Sequence, residues 1–97
     1  MRIIARKTLR DFSERHLQAK PGLDAWYHEV KRTEWHSPSD VKTLYPKARI
    51  VGKDRVIFNI ANNRYRLVVQ INYATGIVYI RFVGTHKEYD RINVEEV

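Results

Sequence analysis

The chain contains no cysteine, and its 97 residues include only one methionine, three prolines and four glycines. Without thiols there are no disulfides, no thiolate metal ligands and no cysteine nucleophile, a usage that suits a reducing compartment. The four glycines are scattered, so no glycine-rich loop is available to cradle phosphates, and nucleotide hydrolysis by that route is disfavoured. The four histidines show no HExxH or comparable ligand spacing, and neither a metal nor another cofactor is assigned. Long apolar runs are missing as well, none approaching the roughly 20 residues of a membrane span. At the start, "MRIIARKTLRD" is apolar only from Ile3 to Ala5, far short of a signal core of roughly 7 to 15 residues. A cytoplasmic protein with no membrane partner is expected.

What is present is a globular balance of 43% hydrophobic and 30% charged residues, enough for a single domain over residues 1–97. Lysines and arginines number 18 against 11 acidic residues, for a net charge of +7. Such a surface attracts polyanions, and nucleic acid is the leading partner class. The plain alternative is that the charge serves solubility alone.

The composition changes near residue 46, from a polar, helix-like half to a half rich in β-branched and aromatic residues, with no linker between them. This predicts one α+β domain, helices on one face of a mainly antiparallel sheet. "RIIAR" reads as a short first strand. Leu9, Phe12, His16 and Leu17 follow at helical spacing, with Thr8 available as an N-cap and Pro21-Gly22 as the break. A second helix over about Leu23 to Trp35 sets Leu23, Trp26, Tyr27 and Val30 on one stripe. "SPSDVKTLYP" predicts a short helix capped by Ser37, with Pro38 at its first position and Pro46 beyond its end.

Three strands are predicted, over about Arg55–Ala61, Arg64–Tyr73 and Gly76–Val83, joined at "ANN" and "ATG", where Asn and Gly tolerate positive φ. Alternation places Val56, Phe58, Ile60, Tyr65, Leu67, Val69, Ile71, Val78, Ile80 and Phe82 on the helix side. Arg55, Asn59, Arg64, Arg66, Gln70, Tyr79 and Arg81 take the other side. That second face is either a solvated sheet surface or a phosphate-binding one, for which the planar donor fork of arginine is well suited. Arg66 and Arg81 lead the phosphate-binding candidates.

The last strand empties into "VGTHKEYD", which brings His86, Lys87 and Tyr89 to the sheet's end. A histidine can exchange a proton near neutral pH, a lysine can neutralise phosphate, and a tyrosine can stack on a base. RNA cleavage needs such groups: a base for the ribose 2′-hydroxyl, a cation for the phosphorane and an acid for the leaving 5′-oxygen. His16, His28 and His36 are better read as helix or helix-edge residues.

The stretch "NRYRLVVQINYATGIVYIRFVGTHKEYD", Asn62 to Asp90, resembles the HigB-type toxins of bacterial type II toxin–antitoxin systems, within the RelE-like superfamily. "VKTLYPKARIV" also looks like that family, so the resemblance covers most of the chain. It implies a microbial-ribonuclease-like fold and a ribosome-dependent mRNA endonuclease acting in the ribosomal A site by 2′-hydroxyl attack. It also implies inhibition by a HigA-like antitoxin, with an antitoxin complex on operator DNA as a further assembly. Arg66 matches the superfamily arginine of the "YRL" strand that stabilises the transition-state phosphate. His86 falls near a second catalytic arginine of RelE, and Tyr89 near its C-terminal tyrosine, which stacks on a base.

One departure stands out. RelE-like strands carry lysines before the "YRL" strand, whereas this chain has Ile57 and Asn59 at or near those positions. His86 is the natural substitute for the base, and Lys53, Arg55 or Lys87 are candidates to restore charge. The expected site is therefore catalytic Arg66, His86 and Tyr89, with Lys53, Arg55, Asn59, Arg64, Arg81 and Lys87 contacting RNA. The other readings are a non-catalytic RNA- or ribosome-binding module and a protein-interaction domain.

Overall fold

The computed structural model describes residues 1–97. Along the chain run β1 (Arg2–Ile4), α1 (Arg6–Arg15), a 3-10 turn (Leu17–Ala19), α2 (Lys20–Lys31) and α3 (Pro38–Leu44). Then follow β2 (Arg49–Val51), β3 (Arg55–Ile60), β4 (Tyr65–Asn72), β5 (Ile77–Thr85) and α4 (His86–Tyr89). The strands form one five-stranded sheet in the order β1-β5-β4-β3-β2, with β1 parallel to β5 and every other pair antiparallel. The α+β architecture expected from the sequence is the one observed.

Local chemistry explains the helix boundaries and corrects two of them. Ser37 caps α3 by accepting from the Asp40 amide, and Pro38 occupies the first turn, where its missing N–H costs nothing. Thr8, in contrast, lies within the first turn of α1, whose N-cap is Ala5 with no side-chain bond. Nor does Pro21-Gly22 break a helix. The break is at His16, whose φ of −130° and ψ of 83° leave the helical region, and Pro21 sits in the first turn of α2. Gly22 serves close packing: a Cβ there would lie 2.9 Å from Ile60 Cγ2 and 3.4 Å from the Ala61 nitrogen.

On the helix side, Leu9 and Phe12 of α1, Trp26 and Val30 of α2, and Val41 of α3 close over the sheet. Val56 of β3 and Leu67 and Val69 of the central strand β4 are fully buried; burial of such side chains contributes about 1.5–3 kcal/mol each. The β3–β4 turn is built from Ala61, Asn62 and Asn63, all at positive φ, and the β4–β5 turn ends on Gly76 at φ 71°. Both turns fall where the Asn and Gly signals put them.

The register changes the expected second face. Val69 pairs with Ile80, but its neighbour Val68 pairs with Phe82, so Arg81 is the extra residue of a bulge. Beyond it the side-chain phase of β5 is reversed. Val83, opposite Leu67, packs against the core, and Phe82, assigned to the core from strict alternation, lies on the other face opposite Val68. That face is therefore banded. One row holds Asn59, Arg66 and Gly84, the next Arg49, Ile57, Val68 and Phe82, and the third Arg55, Gln70 and Tyr79. Apart from Arg49 at its β2 edge, the middle row is apolar, with Ile57 and Val68 buried, so the face is not a continuous arginine surface.

Candidate active site

Arg66 stands on β4 between Asn59 of β3 and Gly84 of β5, a position with a strand on each side. Its Nη1 donates to the Asn63 carbonyl at 2.7 Å and to the Tyr65 carbonyl at 3.3 Å. Those two bonds fix the guanidinium and leave Nε–H and both Nη2 protons for a ligand. Gly84 beside it leaves room for its neighbours, because a Cβ there would come within 2.5 Å of the Phe82 ring and 3.2 Å of a Glu88 carboxylate oxygen and would make both side chains shift.

From Gly84 the chain passes into α4 through a capping box. The Thr85 amide donates to Glu88 Oε1 at 2.9 Å, and the Glu88 amide donates to Thr85 Oγ1 at 3.2 Å. The bond from the Thr85 amide holds the Glu88 carboxyl below its ordinary pKa, with partial burial opposing and the Thr85 hydroxyl assisting. This turn aims the rest of α4 back over the sheet. The Tyr89 ring lies 5.9 Å from the Arg66 guanidinium carbon, and the His86 ring meets Tyr89 edge-on at 6.5 Å. His86 Nδ1 lies 3.2 Å from Asp90 Oδ2, one helical turn on.

These residues line a cleft of about 330 Å³ together with Lys47, Arg49, Ile57 and Asn59. The lining carries three permanent cations, Lys47, Arg49 and Arg66, against the single carboxylate of Asp90. Such a site favours an anion, and the tautomer with Nδ1–H facing Asp90 Oδ2 is the one that leaves Nε2 as an acceptor. A groove of about 300 Å³ between α1 and α2 is more apolar, lined in part by Leu9, Leu17 and Leu23. It brings together no histidine and arginine of this kind.

Of the residues expected to contact RNA, only Asn59 joins the three catalytic candidates in the cleft. Lys53 is exposed in the β2–β3 turn, and Lys87 is exposed on α4 without lining the cleft. Arg64 is exposed in the turn just before β4 and bonds to Gln18. Arg81 is drawn to Gln70, its Nε donating to Oε1 at 3.0 Å, at the bulge. Arg55 does not face solvent: its side chain is 14% exposed, bonded to Asp54 and to the Val97 main-chain oxygen.

Sequence reasoning missed Lys47 and Arg49 because β2 itself was missed. Arg49 pairs with Ile57 in register and so delivers a cation beside the position where Ile57 offers none. The signal was "PKAR", a basic pair flanking a buried alanine at the entry to a three-residue edge strand. Asp90 lay within the quoted motif, at i+4 from His86, a spacing that makes helical neighbours.

A basic cleft at the sheet's end, with arginine on a central strand and histidine and tyrosine on a terminal helical turn, defines a candidate phosphodiester-cleaving site on a small α+β domain. Residues 19–92 match the family model HigB_toxin, the RelE-like toxic component of a toxin–antitoxin system, and the chain belongs to that family. It is 31% identical over 93 residues to the mRNA interferase toxin HigB of Escherichia coli strain K12, covering 93% of this chain and 88% of that relative. The same figures hold for the mRNA interferase HigB of Escherichia coli O157:H7 and that of Shigella flexneri.

Proposed function

We propose that this toxin is an endoribonuclease that cleaves mRNA on the ribosome and is neutralised by a HigA-like antitoxin. The observation that carries the reading is the convergence of Arg66, His86 and Tyr89 in one cationic cleft. The names of the relatives support mRNA as the substrate. Translated mRNA as substrate places the action in the cytoplasm, and no helix of this chain is long and apolar enough to cross a membrane.

In the proposed reaction, His86 Nε2 takes the proton of a ribose 2′-hydroxyl, whose oxygen attacks the adjacent phosphorus. Asp90 holds the imidazole by Nδ1, which keeps Nε2 turned to the 2′-hydroxyl. Arg66 faces the equatorial oxygens as their charge grows, and Lys47 and Arg49 add to that field. The P–O5′ bond breaks, giving a 2′,3′-cyclic phosphate and a free 5′-hydroxyl. Tyr89 offers a ring face for a base and a hydroxyl that can protonate the departing oxygen.

Expression of the chain alone, followed by mapping of mRNA 5′ ends on ribosomes, tests the proposal. New 5′-hydroxyl ends within translated regions are expected, disappearing when the antitoxin is co-expressed. Normal growth with intact translated transcripts would sink the proposal. Salt-sensitive RNA binding without cut ends would leave a binding module in its place.

A further inference from the structure

We propose that Arg55 and the segment Asp90–Val97 form a brace that holds α4, and with it His86 and Tyr89, over Arg66. Arg55 is then a positioning residue for the reaction. The proposal rests on the reading of the cleft given above, and extends it to a part of the molecule outside the cleft.

The first ground is burial on the side away from the helices. Ile57 is 4% exposed and Val68 fully buried, yet neither belongs to the main cluster formed with α1, α2 and α3. Something else covers them, and the chain beyond β5 is the segment placed to do so. Asp90 lines the cleft beside Ile57, and the Val97 main-chain oxygen accepts from Arg55 Nη2 at 2.9 Å. Arg55 is two residues from Ile57 on β3, so the segment runs from one row of the face to the third across the apolar row between them.

Its sequence suits that path. Ile92, Val94 and Val97 are half-buried, while Arg91, Asn93, Glu95 and Glu96 are exposed. Asn93 ties the segment into a compact turn, accepting from the amides of Glu95, Glu96 and Val97. The Arg91 and Ile92 amides return to the Glu88 and Tyr89 carbonyls of α4, so the helix and the segment are continuous in their bonding.

The second ground is that α4 cannot stand alone. It has four residues, none buried, and helices far longer than this are marginal in water without packing. The capping box fixes its N-terminal end, and the segment running to Arg55 fixes the other. A hydrocarbon at position 55 would fill space with less desolvation than a guanidinium. What Arg55 adds is a directed bond to the far end of the brace at 2.9 Å, shorter than its 3.4 Å contact with Asp54, while its Nε, also buried, has no partner.

The test compares wild type, Arg55→Met, Arg55→Lys and Ile92→Ser in full-length protein. NMR contacts between the Tyr89 ring and the Arg66 side chain report the position of α4, and contacts between Val56 and Val69 report the sheet. Arg55→Met and Ile92→Ser are each expected to weaken the Tyr89–Arg66 contact while the sheet contacts persist, and to slow mRNA cleavage about tenfold or more with RNA binding retained. Arg55→Lys, which keeps a donor, is expected to recover part of both. Retention of the Tyr89–Arg66 contact in both Arg55→Met and Ile92→Ser would overturn the brace, as would equal loss of the sheet contacts. Absence of cleavage by the wild type would overturn the nuclease reading instead, and the NMR comparison would still decide the brace.

Discussion

Replacing Arg66 by alanine separates catalysis from folding by magnitude. In the fold, Arg66 is half-buried and makes two hydrogen bonds, one to the exposed Asn63 carbonyl of the turn and a longer one, at 3.3 Å, to the part-buried Tyr65 carbonyl. Water takes over such acceptors, so the loss in stability is about 1 kcal/mol or less. In the proposed reaction, by contrast, the guanidinium of this cleft-lining residue has three N–H groups with no protein acceptor, and nothing replaces them. Removal of a donor preorganised toward developing charge lowers kcat by about 10²–10³, or about 2.7–4 kcal/mol.

The two effects thus differ several-fold, and one preparation measures both. Thermal unfolding of Arg66→Ala should shift by a few degrees at most, while single-turnover cleavage of ribosome-bound mRNA should fall by at least about a hundredfold. Arg66→Lys should fall between wild type and alanine, because a point charge replaces the planar fork but not its two-pronged geometry. Undiminished cleavage by a folded Arg66→Ala protein would refute the assignment. A matching collapse in stability would show that the arginine holds the turn rather than the phosphate.

Removal of the proposed base, His86→Gln, should abolish toxicity with little change in thermal stability, as the ring is exposed; a fully toxic variant would take histidine out of the mechanism. Asp90→Asn keeps an oxygen near His86 Nδ1 but loses the charge, so cleavage should fall less than in His86→Gln. The pKa of Glu88 is lowered in the fold, so its contribution is present above its unfolded value, about 4.3, and is lost as pH falls through the folded one. Amide exchange in α4 should therefore rise below about pH 4 in wild type, and show no such step in Glu88→Gln, which still accepts from Thr85. Gly22→Ala gains up to about 1 kcal/mol of helix propensity but forces a methyl to 2.9 Å from the buried Ile60. Overpacking costs about 1–3 kcal/mol, so the melting temperature should drop; a rise would mean that Ile60 yields freely.

Much of this was legible in the sequence, and the failures share a cause. Alternation located β3, β4 and the first half of β5, and the Asn and Gly turns set their register, because those signals are local. It failed at Phe82 because a bulge at Arg81 reverses phase without leaving a Gly or Pro to mark it. Arg66, His86 and Tyr89 were read together because the β4–β5 hairpin brings them together. Lys47 and Arg49 were not, since a three-residue edge strand is too short for a period to show. Arg55 was assigned to RNA on charge and phase, both read correctly. What no local pattern reveals is that the chain returns to the same face, where Arg55 donates to the Val97 main-chain oxygen.

The division of labour proposed for the cleft follows from what each step demands of its support. Stabilising a phosphorane works best with a donor whose position costs nothing to reorganise, and Arg66 has a central strand for that, with β3 and β5 on either side and its guanidinium tied to the turn. Base stacking and proton transfer need groups that approach a substrate after it has entered. His86 and Tyr89 accordingly sit on a four-residue helix with no buried side chain, held by a capping box at one end. Stiffening α4 further would favour the chemical step only until it hindered RNA entry, whereas loosening Arg66 would weaken the chemical step at once. Mutations in the helix should therefore change KM and kcat together, and mutations that move Arg66 should act on kcat alone.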